Sequence, residues 1–146
     1  MITYWEELPE GFSGDLAVGP LYGDRPPTRG LAGWADWRFG EPIAAALLAG
    51  KLSPDRGEKL LLPGRSPFQV AKIVLVGLSR FVEETAEVDT TAGVFAEAVR
   101  NLGARRLLLE IPSVHPQLFV QAFANSLGAD APDEIFAYIP EAPCRI

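Results

Sequence analysis

Catalysis by side chains needs a nucleophile, a metal or an acid–base pair held within reach of one another, and this chain is poor in the residues that serve. His115 is its one histidine, and Cys144, third from the end, its one cysteine. A metal centre draws on clustered His, Cys, Asp and Glu, so a single His and a single Cys far apart in sequence supply no ligand set. No Gly-x-Ser-x-Gly occurs, and pairing Cys144 with His115 would place a nucleophile in a terminal tail. The chain has 19 Asp and Glu, yet no spacing among them marks out a pair for general acid–base work. The expectation is a protein that is not an enzyme, with no catalytic residue, no metal and no cofactor. His115 then reads as a capping or surface residue at a helix start.

One stretch has the physics of a binding site. In open α/β sheets ligands collect beyond the carboxyl ends of strands, and Gly77-Leu78-Ser79-Arg80 closes the most apolar run of the chain. A glycine there lets backbone amides approach an anion, with Ser79 and Arg80 as further donors. Gly77, Ser79 and Arg80 are therefore the candidate anion-binding residues. Neither Gly-x-Gly-x-x-Gly nor a Walker lysine motif accompanies them, so the pattern alone does not specify a phosphate. A second candidate set is aromatic. Trp5, Tyr22, Trp34 and Trp37 are candidate interaction anchors, because such residues dominate interface energetics. Core packing is the plainer role open to each.

These residues are positioned by strands and helices that the apolar pattern marks out. Ala71-Lys72-Ile73-Val74-Leu75-Val76-Gly77-Leu78 does not alternate as a strand with one wet face would, so it reads as buried on both sides at the centre of a sheet. Helices must cover it. Upstream, Met1 to Phe12 is an edge strand or a packed lead-in. Leu16-Ala17-Val18 is a short strand, after which Gly19, Pro20, Gly23, Pro26, Pro27 and Gly30 make a loop holding Asp24, Arg25 and Arg29, charges whose default is solvation. Leu31 to Ala49 reads as a long helix restarted near Gly40 and Pro42, because proline suits a first turn better than an interior. Gly50 sits at its cap.

After a turn-rich connection from Lys51 to Gly57, Lys59-Leu60-Leu61-Leu62 is a strand stopped by Pro63-Gly64. Its short loop to the central strand implies an antiparallel pair and hence a mixed sheet. Glu83, Glu84, Glu87 and Asp89 precede a helix read as Thr90 to Leu102, where negative charge favours the N-terminus. Thr91, Phe95, Ala98 and Leu102 share one of its faces, and Gly103 closes it. Leu107 to Ile111 is another buried strand, ended by Pro112. Ser113 or His115 caps a third helix with the stripe Phe119, Phe123, Leu127 and a cap at Gly128. Glu134 to Ile139 alternates as a last, half-exposed strand. Strand–helix alternation implies right-handed crossovers and parallel pairing in this half. The expected fold class is α/β, a three-layer α/β/α arrangement around a central mixed sheet, in one domain spanning residues 1–146.

Charge and length narrow the function classes. The 13 Lys and Arg against 19 Asp and Glu give a net charge of -6, the wrong sign for affinity drawn from phosphate backbones, so nucleic acid is not an expected partner. A single cysteine permits no intramolecular disulfide. The first residues carry no basic charge and no apolar stretch behind them, and the longest apolar runs fall far short of the roughly 20 residues of a spanning helix. A cytoplasmic protein without membrane contact is expected.

Several segments taken in order carry a family resemblance. Asp36-Trp37-Arg38 through Ile43-Ala44-Ala45-Ala46-Leu47-Leu48-Ala49-Gly50, then Gly57-Glu58-Lys59-Leu60-Leu61-Leu62-Pro63, then Lys72-Ile73-Val74-Leu75-Val76-Gly77-Leu78, resemble the N-terminal domain of the M17 leucyl aminopeptidases. The helix from Gly93 to Leu102 and the strand from Arg106 to Ile111 continue the same order, so the likeness covers about Asp15 to Tyr138. It implies a macro-domain-like fold. It also implies that the two-zinc peptidase chemistry belongs to a separate C-terminal domain, none of whose motifs can be placed here, so no catalytic residue carries over. Ser79 stands where the family often has glycine. The expected function is a non-catalytic interaction or assembly domain that binds itself or another protein, such as a separately encoded peptidase. The alternative is a macro-domain-like module that binds a nucleotide or ADP-ribose-like anion.

Overall fold

The computed structural model describes residues 2–5, 12–23, 30–38, 59–63 and 69–139, and its inner strands form where the apolar runs leave no wet face. Among the described residues six strands make one sheet: β1 (Ile2–Trp5), β2 (Ser13–Tyr22), β3 (Lys59–Pro63), β4 (Gln69–Leu78), β5 (Arg106–Glu110) and β6 (Glu134–Tyr138). Their order in space is β1-β6-β5-β2-β4-β3. All neighbours run parallel except β3, which lies antiparallel on β4. Three α-helices are described, α1 (Gly30–Arg38), α2 (Thr85–Val99) and α3 (Pro116–Leu127).

Successive side chains of a strand point to opposite faces, so each buried run feeds two cores. Leu16, Val18, Val74, Val76, Leu107 and Leu109 meet Val88 and Phe95 of α2 and Phe119 and Phe123 of α3. Ala17, Ile73, Leu75 and Leu108 meet Leu31 and Ala32 of α1 on the other side. The sheet is thus the middle of three layers, α/β as the apolar pattern predicts. Phe95 and Phe119 lock the two helices of one face edge to face, with ring centroids 5.3 Å apart, an arrangement that adds to their burial. The stripe Phe119, Phe123, Leu127 is buried as expected. Gly103 closes the turn after α2 in the left-handed region at φ 65°.

Three expectations are corrected. The strand around Val74 is not the centre of the sheet: β2 and β5 are, with β4 one place further out. β2 is ten residues long and includes Gly19, Pro20, Leu21 and Tyr22, which the turn-forming tendency of Gly-Pro assigned to a loop. Pro20 is tolerated because β2 pairs with β5 only from Leu16 to Val18, so no donor is missed on that side. α2 starts at Thr85 rather than Thr90, because buried Val88 anchors a first turn whose acid is Glu87. β6 alternates as expected, with Ile135 and Ala137 buried and Glu134 and Phe136 partly exposed, and β1 pairs along its outer side. That pairing also settles residues Ile2–Trp5 as an edge strand. Residues 24–29, 39–58 and 140–146 lie outside the described residues, and with them Asp24, Arg25, Arg29, the Ile43–Ala49 segment, Gly50 and Cys144.

Candidate functional site

Strand order locates the crevice of this sheet. From β2 the chain passes through α1 to β3 and β4 on one side, and from β5 it passes through α3 to β6 on the other. β2 and β5 are adjacent, their connections diverge, and α1 and α3 cover opposite faces. Such a switch point leaves a crevice beyond the carboxyl ends of the two strands, where open α/β sheets seat their ligands. The best-placed candidate site is therefore between β2 and β5, one strand away from the Gly77–Arg80 segment.

That crevice is filled by the chain itself. β2 and β5 stop pairing after Val18 and Leu109, and the next residue of β5 is Glu110, only 5% exposed. Its Oε1 accepts the Leu31 N–H of α1 at 2.6 Å, one of the first-turn donors that a helix cannot satisfy internally. Two glycines let the carboxyl group in. A Cβ at Gly19 would come 3.3 Å from the Cβ of Glu110, and one at Gly30 would overlap the carboxyl group. Gly30 also holds φ +66°, a conformation costly for other residues. Burial pushes the Glu110 carboxyl up to about 7, with the Leu31 hydrogen bond opposing. Loss of solvent outweighs one donor.

Above Glu110 the segments after β4 and β5 meet directly, past the end of β2. Val82 and Ser113 form a parallel bridge, in which Val82 N–H donates to Pro112 O at 2.8 Å and Val114 N–H to Val82 O at 3.2 Å. Ile111 and Ser113 are buried. The Ser113 hydroxyl accepts the His115 N–H at 3.1 Å, and His115 Nε2 lies 3.1 Å from the Glu83 carbonyl oxygen. His115 does occupy the N-cap position of α3, but its side chain makes no capping hydrogen bond.

The residues singled out in the sequence are scattered across this frame. Gly77 is inside β4, paired in register with Leu21, and is not part of a turn. Ser79 and Arg80 are exposed just beyond β4, and Arg80 Nη2 faces Glu87 Oε1 at 3.9 Å. Trp5 packs its ring on Phe136 with centroids 5.1 Å apart, and Tyr22 meets Phe81 edge-on at 6.4 Å. Trp34 and Trp37 belong to α1, but their side chains lie outside the described residues. Among the described residues the exposed large apolar side chains are Ile2, Tyr4, Leu61, Val114 and Leu118. Among the described residues no three His, Cys, Asp or Glu gather as metal ligands. Glu110 and Gly30 were missed by sequence reasoning. The available signal was one charged residue inside the apolar run Leu107-Leu108-Leu109-Glu110-Ile111.

No known protein family matches the sequence, and no curated protein matches it. Solved structures do. A mutant of tomato leucine aminopeptidase superposes with a TM-score of 0.62 at 16% identity, covering 99% of this chain and 33% of the enzyme's. The macrodomain of Thermus aquaticus DarG matches at 0.62 and 14% identity over 94% of this chain and 97% of that one. The Mycobacterium tuberculosis DarG macrodomain matches at 0.62 and 16%, over 96% and 97%. The fold is therefore macro-domain-like, as in the leucine aminopeptidase N-terminal region, and the chain spans a third of the length of the tomato enzyme.

Proposed function

We propose that this domain acts as a non-catalytic cytoplasmic interaction module, associating with its own copy or with another protein. The observation that carries the reading is the exposure of large apolar side chains along the sheet edges. Ile2 and Tyr4 alternate on β1 at 44% and 39% exposure, and Leu61 on β3 is 53% exposed. Ile2 and Tyr4 pair in register with Ile135 and Ala137, so they face the α2/α3 side, on which Leu118 is also exposed. Exposed aromatic and aliphatic anchors are what a protein interface buries. With Trp5 packed on Phe136, Tyr4 takes its place as the anchor on β1. No helix among the described residues is long and apolar enough to cross a membrane, in keeping with a partner in solution.

The test is mass in solution across concentration, for the wild type and a Tyr4→Ala, Leu61→Ala double variant. Association in the wild type that the variant loses, while still unfolding cooperatively, is the expected outcome. A wild type that keeps the mass of one chain, and retains no protein at near-equal amount from a cell extract, overturns the reading.

A second reading rests on Ser79 and Arg80, exposed donors beyond the end of β4. They suit a nucleotide or ADP-ribose-like anion. Saturation at 100 times the dissociation constant adds about 2.7 kcal/mol of stability, which a thermal shift reads directly. A shift abolished by Arg80→Ala supports this reading; a flat response across nucleotides rejects it.

A further inference from the structure

We infer that the Glu110 carboxyl group is a built-in occupant of the switch-point crevice, taking the anion position at the N-terminus of α1 and so excluding phosphate-bearing ligands from it. The free N–H groups and the dipole of a helix start make it a ready seat for an anion. α1 has no acidic residue in its first turn. Its partner instead comes from the end of β5, 79 positions along the chain, as a group 5% exposed. A carboxyl group is costly to bury unless something holds it, and here Leu31 N–H does so at 2.6 Å.

The surroundings are shaped for this occupant. Gly30 and Gly19 both lack the side-chain atom that would collide with Glu110 or crowd it. The bridge between Val82 and Ser113 lies past the end of β2, and Ile111 and Ser113, which follow Glu110, are buried. An incoming phosphate would have to displace the carboxyl group from Leu31 N–H and bring its own charge into a water-poor site that holds no cation to pair with it among the described contacts, which is costly. The inference concerns the crevice alone. It holds whether or not the domain assembles through its sheet edges, and it is separate from the exposed Ser79 and Arg80.

The test follows the Leu31 amide by NMR. In the wild type, inorganic phosphate and ADP should leave that signal in place, while in Glu110→Ala acetate should move it saturably and raise the thermal midpoint by a few degrees, with chloride at equal ionic strength as the control. Acetate restores the carboxylate that the substitution removes. A wild-type Leu31 signal that moves saturably with phosphate or ADP overturns the inference, as does a folded Glu110→Ala protein indifferent to acetate. Should Glu110→Ala not fold, the wild-type titration decides: a stationary signal supports the inference and a saturable shift overturns it. Solution mass is unaffected in every arm, which keeps this result distinct from the assembly test.

Discussion

Glu110 is the residue at which local chemistry and global stability meet. Its carboxyl group rises from an ordinary 4.5 to about 7 because burial disfavours the charged form. An acid whose folded value is raised holds its proton in the folded chain after the unfolded chain has released it. Stability is therefore fully present below about 4.5 and falls as pH rises toward 7, by roughly 3 kcal/mol across that window. Urea midpoints measured at a series of pH values should show this decline in the wild type and a flatter profile in Glu110→Gln, which keeps the shape and an acceptor for Leu31 but does not titrate. Parallel profiles for the two proteins would remove Glu110 as the cause. Asp15 has the opposite sign. The Arg106 and Arg105 amides, each 2.8 Å from its Oδ2, hold its carboxyl below the usual range, so its contribution is present above about pH 4 and is lost in acid. Being exposed, it is worth little beside Glu110.

At the scale of elements, the ends of helices decide where this chain can turn. Gly30 opens α1 and Gly103 follows the turn after α2, at nearly the same backbone angle, φ +66° and +65°. Their surroundings differ. A Cβ at Gly103 meets nothing within 4 Å, whereas one at Gly30 overlaps the Glu110 carboxyl group. Gly103→Ala should therefore cost only the conformational penalty of the left-handed region, about 1–2 kcal/mol. Gly30→Ala should cost more, because Glu110 must also leave its place and Leu31 N–H loses its acceptor. Denaturant unfolding of the two variants checks the difference, and equal losses would mean that the contact between Gly30 and Glu110 contributes nothing. The same logic explains Pro20 inside β2, where the strand has already parted from β5.

At the scale of the whole molecule, strand order is the fact from which the rest follows. Placing β2 beside β5 makes the crevice, and placing β1 and β3 at the margins leaves Ile2, Tyr4 and Leu61 uncovered. Sheet edges carry unpaired backbone groups and are where chains join. The assembly prediction belongs to this scale, because it depends on which strands end up outermost and not on any single contact. The net charge of -6 has the wrong sign for affinity drawn from phosphate polymers, in line with the proposed protein partner.

Much of this architecture was legible from residue order. The apolar runs at Leu107–Leu109 and Ile73–Val76, the helix stripe Phe119, Phe123, Leu127, the hairpin between β3 and β4, and the mixed three-layer α/β plan all follow from local periodicity, which reflects burial of each segment by itself. Local pattern failed where the outcome depended on a neighbour distant in sequence. It put Gly19 and Pro20 in a loop because it could not see β5 diverging from β2, and it made β4 central because apolar content reports burial and not rank in a sheet. It passed over Glu110 as one polar residue in a strand. Only the tertiary structure brought that carboxyl group to Leu31 N–H and Gly30, since a hydrogen bond spanning 79 positions is set by how strands are ordered, and strand order leaves no periodic trace in the residues that obey it.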